Sequence, residues 1–203
     1  MKRIKLLDEL VRSNKTVFSI EDAVELDESR NRKKIVRFLQ ELEKAGWIER
    51  IYRGKYMIIP LGAEKGKYTE HEYILASSIV QPYAIAYWSA LSYWGLTSQI
   101  PNTVFIQTPK RGKKLKLLGL DFWIIHTNEM FGLQSGFINE TRIWITNREK
   151  TLIDCLDKPQ YCGGLECIKE GLQDEKVKTS ELYVYARRLG KQIVLKRLKE
   201  NLE

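Results

Sequence analysis

Two runs of positive charge free of acids carry the chemistry of this sequence. The first is Ser29-Arg30-Asn31-Arg32-Lys33-Lys34 with Arg37 behind it, five cationic residues within eight positions. Arginine can donate two parallel N–H groups to guanine, and asparagine can donate to and accept from adenine. Lysines such as Lys33 and Lys34 suit phosphate oxygens, which need charge and donors but no shape. Arg53 and Lys55 flank Gly54 shortly afterwards and could extend the same contact. The second run is Lys110, Arg111, Lys113, Lys114 and Lys116 around Gly112. It fits a phosphate backbone or an acidic partner, and equally a solvated surface, since exposed charge contributes little by itself.

Other chemistries find less support. Cys155, Cys162 and Cys167 are spaced C-x6-C-x4-C, with His71 and His126 far away, which matches no zinc-finger or ribbon spacing. Small buried or partly buried thiols are the expectation, with no metal and no cofactor. The Gly163-Gly164 pair lacks the lysine and hydroxyl of a phosphate loop. Ser77, Ser78, Ser89 and Ser92 lack the context of a nucleophile elbow. Asp121, Glu140 and Glu149 stand on or beside strand-like segments, where a nuclease could hold a metal, but strand-end acids are common. A non-enzyme is therefore expected, with a metal-dependent nuclease as the alternative.

The chain has 203 residues, a net charge of +8 and 43% apolar residues. That fits one or two globular domains and a polyanionic partner. Residues 1–62 hold 14 Lys/Arg against 10 Asp/Glu, and residues 63–203 hold 20 against 16, so the shorter part is about twice as basic per residue. No signal-peptide pattern follows Lys2, Arg3 and Lys5, and no stretch approaches the roughly 20 apolar residues of a membrane helix. A cytoplasmic, membrane-free protein is expected.

The elements that would position the first run are legible. Ile4, Leu7, Leu10 and Val11 recur at helical spacing, and Ser13-Asn14-Lys15 ends that helix. Thr16-Val17-Phe18 reads as extended. Ser19 is a natural N-cap, with Asp22 three residues on. A short helix reaches Leu26, Asp27-Glu28-Ser29 turns, and Ser29 caps a helix over 30–45 whose inner face is Ile35, Leu39 and Leu42. Gly46 sits where a C-cap glycine belongs. Strands at 47–52 and 56–59 around Arg53-Gly54-Lys55 complete a helix-turn-helix with a winged hairpin. The basic run then lies on the helix that enters the major groove. The alternative is a winged helix used to bind protein, because fold does not fix function.

Residues 61–67 read as a linker, which predicts domains at 1–61 and 68–203. The second reads as a larger mixed α/β domain, giving an α+β protein as a whole. A helix is expected over 70–80, and a second over 83–94 that is apolar all round and therefore buried. Period-two strands follow at 103–108, 121–127 and 141–146, which makes 109–116 a loop. Helices are expected at 147–156, 165–172, 180–188 and 191–202.

Ile145-Thr146-Asn147-Arg148-Glu149-Lys150-Thr151-Leu152-Ile153-Asp154, with the Pro159 to Gly164 turn after it, resembles the C-terminal domain of AbiEi-type antitoxins. These are regulators in the AbiE toxin–antitoxin and phage-defence systems. Tyr87 to Leu91, Trp94 to Thr97, Phe105 to Thr108 and Val194 to Leu198 resemble the same family, as does the N-terminal winged helix-turn-helix. Thr146, Glu149, Lys150, Thr151, Asp154, Gly163 and Gly164 form the signature, read as structural and not catalytic. Lys150, where arginine is at least as frequent, and Lys199-Glu200, where a glycine–aromatic pair is common, depart from the pattern. The resemblance implies a transcriptional autorepressor that binds double-stranded operator DNA and opposes a nucleotidyltransferase-like toxin.

Overall fold

The structure is a computed structural model that describes residues 2–12, 16–64 and 66–202. The helix end expected at Ser13-Asn14-Lys15 lies outside these residues. The chain divides into two compact units, residues 1–79 with 138–141, and residues 80–137 with 142–203. Helices and sheets occur in both, so the protein is α+β.

The first unit runs α1 (Lys2–Arg12), β1 (Val17–Ser19), α2 (Ile20–Leu26), α3 (Arg32–Lys44), β2 (Ile48–Tyr52), β3 (Lys55–Ile58) and α4 (Glu72–Ile79). Leu6 and Leu10 carry α1 into the core, whereas Val11, expected to point inward, is 53% exposed. One face of α3 buries Ile35, Phe38, Leu39 and Leu42. They pack with Phe18, Ile20, Ile48 and Tyr56 from α2 and the sheet. The sheet is antiparallel in the order β1-β3-β2. Tyr52 pairs with Lys55, which leaves Arg53-Gly54 as a two-residue turn. Gly54 has φ +67, a left-handed conformation that only glycine adopts without strain.

Ser19 starts α2 as its residue type dictates. Its Oγ accepts from the Asp22 amide at 3.0 Å, while its own amide donates to Asp22 Oδ2 at 2.7 Å. This reciprocal capping box satisfies two helix-end donors at once. Ser19→Ala is expected to cost about 0.5–2 kcal/mol of stability, read as a lower urea midpoint with unchanged slope.

The second unit adds β4 (Ala84–Ile85), α5 (Tyr87–Trp94), β5 (Thr103–Thr108), β6 (Lys113–Leu117), β7 (Leu120–His126), β8 (Leu133–Ile138) and β9 (Thr141–Thr146). Then come α6 (Arg148–Asp157), a 3-10 turn (Pro159–Tyr161), α7 (Glu166–Leu172), α8 (Thr179–Leu189) and α9 (Gln192–Leu202). The six-stranded sheet has the order β6-β7-β5-β4-β9-β8. Tyr87 and Leu91 of α5, Leu152 and Leu156 of α6, Leu182 of α8 and Leu198 of α9 share one core.

Two expectations fail here. Tyr83 to Ala86 does not begin a helix: β4 lies inside the sheet, antiparallel to β5 and parallel to β9. Ala84, Ile85 and Ala86 are fully buried, and apolar residues on every side describe a buried strand as well as a buried helix. Nor is 109–116 wholly a loop. Lys113 to Leu117 form β6, an edge strand paired antiparallel with β7.

Candidate nucleic-acid interface

The first basic run has its helix boundary two residues later than the sequence suggests. Asn31, not Ser29, is the N-cap of α3, its Oδ1 accepting from the Lys34 amide at 3.1 Å. Ser29 instead bonds to Asp27 Oδ2 through both its amide and its hydroxyl. Arg30, between the two turns, has φ +47, a left-handed conformation that costs a non-glycine residue about 1 kcal/mol or more. Helical periodicity does not reveal this, because both serine and asparagine are good caps.

From that start α3 sorts its side chains by chemistry. Arg32, Lys33, Lys34 and Arg37 are exposed, while the opposite face fills the core. Arg32 lies 3.3 Å from Glu21 and Arg37 3.6 Å from Glu41, with both arginines more than 60% exposed. Exposed pairs of this kind are worth well under about 1 kcal/mol and yield to a phosphate or base. Asn31 is less available, since bonding to adenine through its carboxamide oxygen competes with the cap. At the hairpin Arg53 is exposed and Lys55 half-buried. The turn is tied to the start of α2 by the Ile20 amide, which donates to Gly54 O at 2.9 Å.

The second unit gathers the Thr146–Asp154 residues into one buried cluster where β9 passes into α6. Thr146, Lys150 and Thr151 are fully buried. Asn147 caps α6 by accepting from the Lys150 amide at 2.8 Å. The hydroxyls of Thr146 and Thr151 bond to each other at 2.7 Å, and Thr151 also donates to Asn147 O at 2.7 Å. Lys150 Nζ, one turn before Asp154, forms an ion pair with Asp154 Oδ1. Burial pushes the Asp154 carboxyl above the usual range, and the Lys150 ammonium opposes that shift. Glu149 Oε1 accepts from the Lys178 amide at 3.0 Å and so fastens the start of α8. Gly163 and Gly164 take positive φ in the turn after the 3-10 segment. A Cβ on Gly163 would lie 2.8 Å from Cys167 Sγ. These residues hold four elements together.

Two of the three carboxylates weighed for a nuclease, Asp121 and Glu149, are engaged separately. Asp121 faces Lys116 at 3.8 Å on the sheet edge, and Glu149 is spent on α8. Cys155 and Cys162 are buried and Cys167 partly so. Among the described residues no helix is long and apolar enough to cross a membrane.

The second basic run is split by β6. Lys110 and Arg111 precede the strand, and Lys113, Lys114 and Lys116 lie on it, all five exposed. Register places Lys114 opposite Trp123 and Lys116 opposite Asp121. The Lys114 ammonium stands 3.5 Å from the Trp123 ring centroid. A groove beside this strand is completed by Lys158, Tyr161 and His126. Sequence reasoning missed these three, and the only available signal was hairpin pairing between the lysine run and the strand holding Trp123.

Residues 5–59 match the model of a family described as transcriptional regulator, AbiEi antitoxin. The match falls on the first unit, whereas most of the resemblance quoted above lies in the second. Among solved structures, the RV2827C protein from Mycobacterium tuberculosis is similar, with a TM-score of 0.66 and 17% identity over 99% of this chain and 76% of that one. That likeness concerns the fold alone. No curated protein matches the sequence.

Proposed function

We propose that this protein is a sequence-specific DNA-binding autorepressor and the antitoxin of a toxin–antitoxin operon, acting in the cytoplasm. The single observation that carries the reading is α3, whose N-terminal half exposes Arg32, Lys33, Lys34 and Arg37 while its opposite face is core. The order of elements from α1 to β3 supports a winged helix-turn-helix over residues 1–61, with α3 in the major groove and the β2–β3 hairpin as the wing. The family matched by residues 5–59 supports both transcription regulation and the antitoxin role.

In this reading Arg30 and Arg32 meet base edges. Lys33, Lys34, Arg37, Arg53 and Lys55 meet phosphates, and Ser29 and Asn31 shape the start of the helix. Residues 68–203 form the antitoxin domain, directed at a nucleotidyltransferase-like toxin. The partners are thus operator DNA and that toxin.

Pure protein titrated with its own promoter DNA and with shuffled DNA of equal length, across a salt series, tests this. Tight binding to the promoter alone, with log affinity falling steeply against log salt, is the expected result. Equal, weak binding to both DNAs overturns the repressor reading.

A further inference from the structure

The second unit carries a groove at the β6 edge whose chemistry the repressor reading does not use. Its floor is the Trp123 indole, half-buried against Phe105 and Tyr161. Tyr161 stands against it at 88°, ring centroids 6.1 Å apart, so the two rings make a corner. Lys114 rises from β6 and Lys158 from the end of α6. Neither has a carboxylate within ion-pair distance among the described residues, although other lysines of this unit, such as Lys150, Lys178 and Lys191, do.

We propose that this groove binds a nucleotide unit, with the base against Trp123 and Tyr161 and the phosphate held by Lys114 and Lys158. Three points support it. First, the Lys114 ammonium lies over the Trp123 ring. It is a flexible, exposed group worth only about 0.5–1 kcal/mol in that position, and a base can displace it onto the phosphate. Second, an aromatic floor between lysines is how proteins take single strands and nucleotides: stacking is worth about 1–3 kcal/mol per base and needs no particular sequence. A duplex hides its base faces and would leave the corner unused. Third, burial lowers the Lys158 pKa, Asp157 opposes that shift and Lys191 adds to it, and a bound phosphate would offset the Lys191 repulsion.

The same chemistry is offered by single-stranded RNA and by a free nucleoside triphosphate, and the test separates them. Full-length protein carrying Arg32→Ala, Lys33→Ala, Lys34→Ala and Arg37→Ala, which removes the cationic face of α3, is titrated with a labelled oligouridylate of about 12 nucleotides. It is also titrated with UTP and with a mixed-sequence DNA duplex. Expected is saturable binding of the oligouridylate or of UTP, weakened at least tenfold by Lys114→Ala with Lys158→Ala. Preference for the oligomer identifies a strand site, and equal affinity a nucleotide site. Trp123→Phe should keep the affinity and abolish the ligand-induced quench of tryptophan fluorescence. Binding of neither probe overturns the proposal, as does indifference to the double lysine change. Duplex binding as tight as single-strand binding does so too, as does a quench that survives Trp123→Phe. None of these outcomes bears on operator recognition by α3.

Discussion

Lys150→Met is expected to destabilise the protein by about 3–5 kcal/mol, the cost of leaving one partner of a buried ion pair alone. Lys150 is completely buried and Asp154 nearly so. Asp154 Oδ2 has no hydrogen-bond partner among the described residues, so Lys150 is the principal compensation for a carboxylate out of water. Without it the acid lowers its cost by taking a proton. Its folded pKa, already raised by burial, then rises further above the unfolded value. A raised carboxylate pKa means that the folded state binds more protons than the unfolded state. Stability of the variant therefore falls as pH climbs from the ordinary carboxylate range toward the folded pKa. Urea denaturation across that window should show the loss shrinking toward acid. Lys150→Met with Asp154→Leu should recover most of the loss, because an apolar pair of similar volume replaces a desolvated ionic one. A loss below about 1 kcal/mol for Lys150→Met alone would mean that the ammonium reaches water.

Arg30→Gly is expected to separate folding from recognition. The residue holds φ +47 in the turn between Asp27 and Asn31, where glycine is free of the strain that a Cβ creates. The variant should therefore gain up to about 1 kcal/mol of stability. It should also lose the guanidinium beside the start of α3, and with it about 1–3 kcal/mol of operator affinity if that group reads a guanine. Thermal denaturation and promoter binding on one preparation measure both. A more stable protein with undiminished specificity would remove Arg30 from the base-reading set. Lys33→Ala, by contrast, should weaken all DNA sequences alike and reduce the salt slope by about one.

The first unit was largely legible because its signals are local. Ser19 with Asp22, Gly46 after Ala45, and Gly54 between two strand runs each specify their own backbone through neighbours three or four residues away. The apolar stripe of α3 specifies which face is left for the arginines. Where local signals compete, the sequence is ambiguous. Ser29 and Asn31 can both cap a helix, and the choice turns on Asp27, which captures Ser29. The second unit depends on pairings between distant residues. Ala84-Ile85 is a strand only because Gln107 and Ile106 lie on one side and Ile145 on the other. β8, with polar residues at Gln134 and Ser135 and Gly136 between them and Phe137, carries little alternation to announce it. The buried Lys150–Asp154 pair was legible as spacing, one helical turn apart, but its depth was not, since Lys and Asp are ordinarily surface residues. The groove beside Trp123 was invisible for the same reason as β6, because it exists only once Lys114 is set opposite Trp123.

The lysines of β6 have a second consequence that does not depend on any ligand. β6 ends the six-stranded sheet, so its outer backbone groups form an open ladder onto which another chain's strand could zip. A row of like charges makes a second copy of the same strand an unfavourable partner there. Erasing the whole run, and not one or two of its members, would strip that guard from the sheet. Such a protein should form β-rich aggregates, and its apparent loss of binding would then reflect precipitation as well as missing contacts.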